Sequence, residues 1–162
     1  MHEGRPLPDW VFKDKRPTKD QQYFENMTRC VFQGGLSWEM LAKKWPNFKA
    51  AFDNFDIGKV AAYGLEDQER LVNDAGIIRN KQKIMSTIYN AEEFQSIKAE
   101  SGSFQKWLDS LDKGNNYSYV IKRLSSRFKR VGPGSASIFL WSVGEDLKWD
   151  STLFDKSPKK LA

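Results

Sequence analysis

Apolar side chains recur every three or four residues along most of this sequence, and this spacing constrains the fold more than any other feature. In residues 19–32 the positions that follow it are Tyr23, Met27, Cys30 and Val31, which would form one buried helical face. Further segments with this period run over residues 37–46, 78–99, 117–130 and 135–143. Strand-like alternation never extends beyond a few residues. The sequence therefore predicts an all-α fold.

Size and cysteine content restrict the class of protein further. A chain of 162 residues fits a single compact domain over residues 1–162, with an irregular C-terminal tail expected over 145–162. Cys30 is the single cysteine and His2 the single histidine, too few for a zinc site, so no metal and no cofactor are expected. The absence of any disulfide and of any long apolar run predicts a cytoplasmic monomer without a membrane partner.

The net charge of +5 and the pI near 9.2 favour an anionic partner. Lysine and arginine side chains that neutralise phosphates release counterions, so a basic chain gains affinity for nucleic acid. A basic protein without such a partner fits the charge equally well.

A glycine-rich hairpin between two predicted helices offers a phosphate site. In the run Val131–Ala136, Gly132 and Gly134 leave the backbone accessible, and the next helix would present unpaired N–H groups near Ser135. Five cations precede it, namely Lys122, Arg123, Arg127, Lys129 and Arg130. The pattern indicates a contact to the DNA backbone, and the alternative is an ordinary helix–turn–helix joint with a solvated basic face.

Several blocks in order resemble the 3-methyladenine DNA glycosylase I family. The first is Phe32-Gln33-Gly34-Gly35-Leu36-Ser37-Trp38, and a second covers residues 69–80. Similar matches run from about Phe24 to Ala91, and residues 131–144 resemble the helix-hairpin-helix element of that family. The resemblance covers more than half of the chain and implies the helix-hairpin-helix DNA glycosylase fold.

The resemblance also implies a function and a set of site residues. Such enzymes flip an alkylated adenine out of double-stranded DNA and hydrolyse its N-glycosidic bond. Trp38 corresponds to a tryptophan of the base pocket, with a core aromatic at a helix start as the alternative. Trp10 corresponds to a second one if about three residues are gapped, and a plain core or surface tryptophan explains it equally well. Gly35 and Leu36 correspond to the loop that enters the gap left by the flipped nucleotide. Gly134 lies about where bifunctional members carry a lysine, so a monofunctional enzyme is expected.

The sequence departs from the family pattern in the base pocket. Cys30 occupies the position of the pocket glutamate, and the family's N-terminal tyrosines and zinc site have no counterpart. A neutral thiol gives little electrostatic stabilisation to a cationic base, and Cys30 can also be interpreted as a small buried apolar residue. Asp150 lies roughly where related glycosylases keep a catalytic aspartate, although a solvated aspartate or helix cap also explains it.

Two functions follow. The first is a monofunctional glycosylase that removes an alkylated purine such as 3-methyladenine in base-excision repair. The second is a DNA-binding member of the fold that lacks base excision or recognises a different lesion.

Overall fold

The computed structural model describes residues 7–149 and confirms the predicted all-α fold, with no strand in that range. The helices are α1 (Asp20–Gln33), α2 (Trp38–Ala51), α3 (Ile57–Ala61), α4 (Leu65–Val72), α5 (Lys81–Ser101), α6 (Phe104–Asp109), α7 (Gly114–Arg127) and α8 (Pro133–Ser142). A short 3-10 turn, Asp53–Phe55, joins α2 to α3. Residues 145–149 form no helix, and the rest of the predicted tail lies outside the described residues.

An aromatic cluster joins the two central helices, α1 and α5, to the C-terminal half of the chain. Phe24 of α1 lies 5.5 Å from Phe94 of α5, measured between ring centroids. Phe94 in turn lies 4.7 Å from Phe104 and 5.4 Å from Phe128. Full burial of one such side chain contributes roughly 1.5–3 kcal/mol, so this cluster is a main source of stability.

The predicted end of α2 near Pro46 is wrong, because the helix continues through this proline to Ala51. A proline inside a helix removes one hydrogen bond and clashes with the preceding turn, at a cost of roughly 3 kcal/mol. Trp45, directly before it, stacks on Phe48 at 4.9 Å and on Phe55 at 5.2 Å. This aromatic packing offsets the penalty and keeps α2 continuous.

The start of α2 agrees with the sequence prediction better than its end does. Ser37 caps the helix, since its hydroxyl accepts a hydrogen bond from the Met40 N–H at 3.0 Å. Leu41 is buried as expected, whereas Met40, predicted to face inward, is 50% exposed. The buried face of α2 is set by Leu41, Trp45 and Phe48, and the helical period turns Met40 away from it.

The N-terminal segment packs against the end of α8. The Phe12 N–H donates to the carbonyl of Ser142 at 2.8 Å. Farther along, Arg16 and Lys113 each place a side-chain nitrogen 2.8 Å from the buried carboxylate of Glu145. These contacts fix the path of the segment that carries Trp10.

Gly144 is essential to this junction. Its φ is +81°, and a Cβ added there would lie 2.6 Å from the carbonyl oxygen of Lys15.

We expect Gly144→Ala to lower the free energy of unfolding by about 2 kcal/mol or more, from left-handed strain and the clash together. Denaturant unfolding followed by circular dichroism measures this. Gly58→Ala, where the nearest atom is a side-chain oxygen at 3.5 Å, is the control; equal midpoints for the two variants would contradict the expectation.

Candidate nucleic-acid interface

A buried asparagine of α5 fixes the predicted hairpin. Asn90 is 2% exposed; its side-chain oxygen accepts from the Lys129 N–H at 2.8 Å, and its amide donates to the Lys129 carbonyl at 3.1 Å. The sequence predicts that helix α7 continues to Arg130, but it ends at Arg127, and Asn90 bonds the backbone just beyond that end. The loop that follows is therefore held against α5.

The start of α8 lies open to solvent beyond this loop. Pro133 occupies the first helical position, and the first intrahelical bond runs from the Ala136 N–H to the Gly132 carbonyl at 2.8 Å. The preceding N–H groups, of Gly134 and Ser135, have no partner inside the helix, and the helix dipole favours an anion there. A Cβ at Gly132 or Gly134 would meet nothing within 4 Å, so an approaching ligand meets bare backbone.

The cations beside the hairpin differ in availability. Lys129 and Arg130 are exposed. Arg127 is not available, because its guanidinium lies 2.9 Å from the carboxylate of Glu93 and 2.6 Å from that of Glu100. Of these three cations, Lys129 and Arg130 are thus the ones that can meet a phosphate.

The loop between α1 and α2 has a defined shape. Gly35 adopts a φ of +83°, a left-handed conformation that favours glycine. The buried amide of Gln33 donates to the Leu36 carbonyl at 2.8 Å, and the Lys83 ammonium donates to the Gly34 carbonyl at 3.1 Å. Gly34 and Gly35 are exposed and Leu36 is half-buried, so the loop presents its backbone outward.

The first turn of α5 joins this loop to the hairpin. Lys83 contacts the loop, while the neighbouring Gln82 accepts a hydrogen bond from Arg130 of the hairpin. Burial, with a smaller contribution from the charge of Arg130, lowers the pKa of Lys83 below its usual value. The structure thus brings Gly35, Leu36 and the hairpin residues to one edge of the molecule.

The two predicted pocket tryptophans lie in direct contact. The rings of Trp10 and Trp38 stack with centroids 5.2 Å apart and an angle of 25°. Asn26, a buried residue of α1, positions Trp10 by donating to its carbonyl at 3.1 Å. The same amide group lies 3.2 Å from the hydroxyl of Ser142. A base held between two rings needs them about 7 Å apart, twice a contact distance, so Trp10 or Trp38 must move to admit one.

Cys30 is buried on α1 and 4% exposed. Burial raises the pKa of its thiol to about 12, although the charge of Arg29 opposes the shift. The side chain is therefore neutral at physiological pH. This agrees with the interpretation of Cys30 as a small buried apolar residue.

A charged group that was not predicted from the sequence lies beside the tryptophans. The Arg29 guanidinium lies 5.2 Å from the ring centroid of Trp10 and 4.4 Å from that of Trp45. A carboxylate oxygen of Glu25 lies 3.2 Å from this guanidinium and accepts from the Trp45 indole N–H at 2.9 Å. Burial lowers the pKa of Arg29 to about 10, which leaves it charged at pH 7. The spacing of Glu25 and Arg29, one helical turn apart, was the available signal.

Asp150, the predicted catalytic aspartate, falls outside the described residues. Within residues 7–149, no three carboxylate, cysteine or histidine side chains come together in a way that could hold a metal ion. In the same range, no helix combines the length and the apolar character that crossing a bilayer demands.

Comparison with known proteins decides the family. The family model described as methyladenine glycosylase matches residues 10–142. The chain belongs to the methyladenine glycosylase family. The matched region includes Trp10, Cys30, Trp38 and the hairpin, so the candidate interface lies inside the part that is shared with the family.

Relatives and solved structures agree with this membership. DNA-3-methyladenine glycosylase 1 of Escherichia coli (strain K12) is 42% identical over 87 residues, and DNA-3-methyladenine glycosylase of Haemophilus influenzae is 27% identical over 88. Each match covers 54% of this chain but only 46% and 48% of those relatives, about half of their length. A crystal structure of 3-methyladenine DNA glycosylase I superposes with a TM-score of 0.71 at 28% identity, covering 86% of this chain and 93% of that one.

The burial of Cys30 predicts an unreactive thiol. At pH 8 the native protein should react with iodoacetamide at least about tenfold more slowly than the urea-unfolded protein, because the raised pKa leaves little thiolate and burial blocks access. Mass spectrometry gives an unambiguous signal, since the chain has one cysteine. Equal labelling rates in the two states would show that the thiol is exposed or ionised.

Proposed function

We propose that this chain is a monofunctional DNA glycosylase that hydrolyses the N-glycosidic bond of an alkylated adenine during base-excision repair. The observation that carries the proposal is the edge at the start of α5, where Lys83 contacts the glycine loop before Trp38 and Gln82 contacts the hairpin. In a chain of this family, that edge would supply contacts to the DNA backbone together with a loop beside the tryptophans. We propose further that the protein acts on double-stranded DNA as a monomer in the cytoplasm, without a cofactor.

The hairpin would hold a backbone phosphate close to the damaged nucleotide. The exposed backbone at Gly132 and Gly134 lets a phosphate approach the N–H groups at the start of α8, near Ser135. Lys129 and Arg130 add positive charge on the same side. Contacts of this kind position the protein on DNA without reading its sequence.

The glycine loop would stabilise the flipped-out state of the nucleotide. Leu36, half-buried and held through its carbonyl by Gln33, is the apolar side chain at this loop. Insertion of Leu36 and the Gly35 backbone into the vacated gap would replace lost base stacking, which is worth a few kcal/mol per step.

The tryptophan pair would receive the extruded base. A base methylated at N3 is cationic and leaves readily, so the enzyme mainly needs to hold it. Trp38 and Trp10 suit this task through stacking and cation–π attraction once their contact opens. Cys30 contributes shape and no charge, because its thiol stays protonated. Asp150 is our proposed general base for the attacking water.

A second candidate function has its own support. Arg29 places a positive charge 5.2 Å from the Trp10 ring; Glu25 balances it only from 3.2 Å on the same helix, and Cys30 adds no negative charge. This environment opposes a cationic base. It favours a DNA-binding protein that lacks excision of 3-methyladenine or that acts on a neutral lesion.

Release of 3-methyladenine from methylated duplex DNA, measured by chromatography under single-turnover conditions, separates the two functions. We expect release by the wild-type protein and a fall of about fivefold or more in Trp38→Ala, because stacking of one base on an aromatic ring is worth roughly 1–3 kcal/mol. Trp38→Phe should retain part of the rate.

Met40→Ala is the matched control, since this exposed side chain lies two residues away on the same helix and should leave the rate unchanged. Binding of DNA without any release by the wild-type protein would overturn the glycosylase proposal in favour of the second function.

A further inference from the structure

A groove of about 810 Å³ lies along α5 beside the hairpin, away from the tryptophan pair. The residues that matter to its chemistry are Lys81, Met85 and Tyr89 on α5 together with Lys129 and Arg130 of the hairpin. We call it the α5 groove. Neither Trp10 nor Trp38 lines it, so a ligand there would not occupy the base pocket.

Positive charges outnumber negative ones along the groove. Lys81, Lys129 and Arg130 line it against one carboxylate, that of Glu92. In the described part of the chain, none of the three cations forms an ion pair with a carboxylate, in contrast to Arg127 just before the hairpin. Exposed cations without carboxylate partners are available to neutralise phosphates.

The wall of the groove between these cations is apolar and aromatic. The ring of Tyr89 lies 4.3 Å from the Lys129 ammonium, measured to the ring centroid. Met85 is 39% exposed, an unusual position for a large apolar side chain. An apolar strip flanked by cations matches the alternation of sugars and phosphates along a nucleic-acid strand.

The groove has the length and position of a strand contact. Lys81, Met85 and Tyr89 are each four residues apart and so share one face of α5. From Lys81 to Glu92 that face runs about 16 Å, comparable to the rise of about five base pairs. Arg130 belongs both to the groove and to the hairpin, and Asn90 fixes the backbone of Lys129, so groove and hairpin form one continuous, rigid surface.

We propose that the α5 groove binds the sugar–phosphate backbone of the duplex arm flanking the damaged nucleotide. The inference rests on the proposed function only in taking DNA as the partner, and it extends the contact beyond the hairpin. Phosphates would lie near Lys81 and Lys129, with a sugar against Tyr89 and Met85. Continuity with the hairpin favours DNA over an acidic protein segment as the occupant.

Binding of undamaged duplex DNA, measured by fluorescence anisotropy over a range of salt concentrations, tests the charged part of the groove. For Lys81→Ala we expect the slope of log affinity against log salt to fall by about 0.9, with a loss of about fivefold in affinity near 0.1 M salt. Lys98→Ala makes the same charge change on another face of α5 and should leave both values nearly unchanged. Equal effects of the two variants would overturn the proposal.

Substitutions in the aromatic wall of the α5 groove should change DNA binding in a different way. Tyr89→Ala should weaken binding several-fold with little change in the salt slope, because it removes no charge, and Tyr89→Phe should bind like the wild-type protein. Tyr119→Ala, which removes an exposed tyrosine from α7, is the control. Thermal unfolding of each variant checks that the fold persists. If Tyr89→Ala binds as tightly as Tyr119→Ala does, the apolar wall does not contact DNA.

Binding to duplexes with shortened arms tests the groove contact independently of the glycosylase activity. Shortening the arm on one side below about five base pairs should weaken wild-type binding and abolish the difference between wild-type and Lys81→Ala. Unchanged binding for each arm shortened in turn would overturn the groove contact. Loss of affinity in the groove variants without any base release by the wild-type protein would support the groove and refute the glycosylase activity.

Discussion

The hydrogen bonds between Asn90 and the backbone of Lys129 organise the proposed DNA-binding edge of this protein. They join the middle of α5 to the hairpin at 2.8 and 3.1 Å, in a site where the amide is almost fully buried. An unpaired buried amide or carbonyl is costly, so the pairing specifies a single position for the loop. One end of α5 holds the loop before Trp38 through Lys83, and the same helix therefore sets the relative position of all the proposed DNA contacts.

The proposed base pocket has its own balance of charges. Cys30 is neutral, and the Arg29 guanidinium, partly balanced by Glu25, lies over the rings of Trp10 and Trp45. In such a pocket, stacking and exclusion of water would hold the base, since Cys30 is uncharged and Glu25 is engaged by Arg29 and Trp45. A cationic lesion retains its own advantage as a leaving group, so the proposed excision of 3-methyladenine is compatible with a cysteine at the position where the resemblance implies a glutamate.

Much of the scaffold could be predicted from local sequence, because helical periodicity and glycine turns act over a few residues. The helices around Tyr23 and Ile88, the cap at Ser37 and the position of the hairpin follow from such signals. Elsewhere, contacts between residues far apart in the sequence override these local signals or add to them. Pro46 does not end α2, because Trp45 stacks on Phe55 of the following turn. The ion pairs of Arg127, the role of Asn90 and the contact of Trp10 with Trp38 join residues far apart in the chain, and no local pattern records them.

A crystal structure with a duplex that carries a central abasic analogue would show whether α5 assembles one DNA-binding edge. We expect a phosphate oxygen within about 2.7–3.2 Å of the backbone nitrogen of Gly134 or Ser135, with Leu36 at the abasic gap. DNA bound to a face of the protein that leaves both the hairpin and Leu36 in solvent would contradict it.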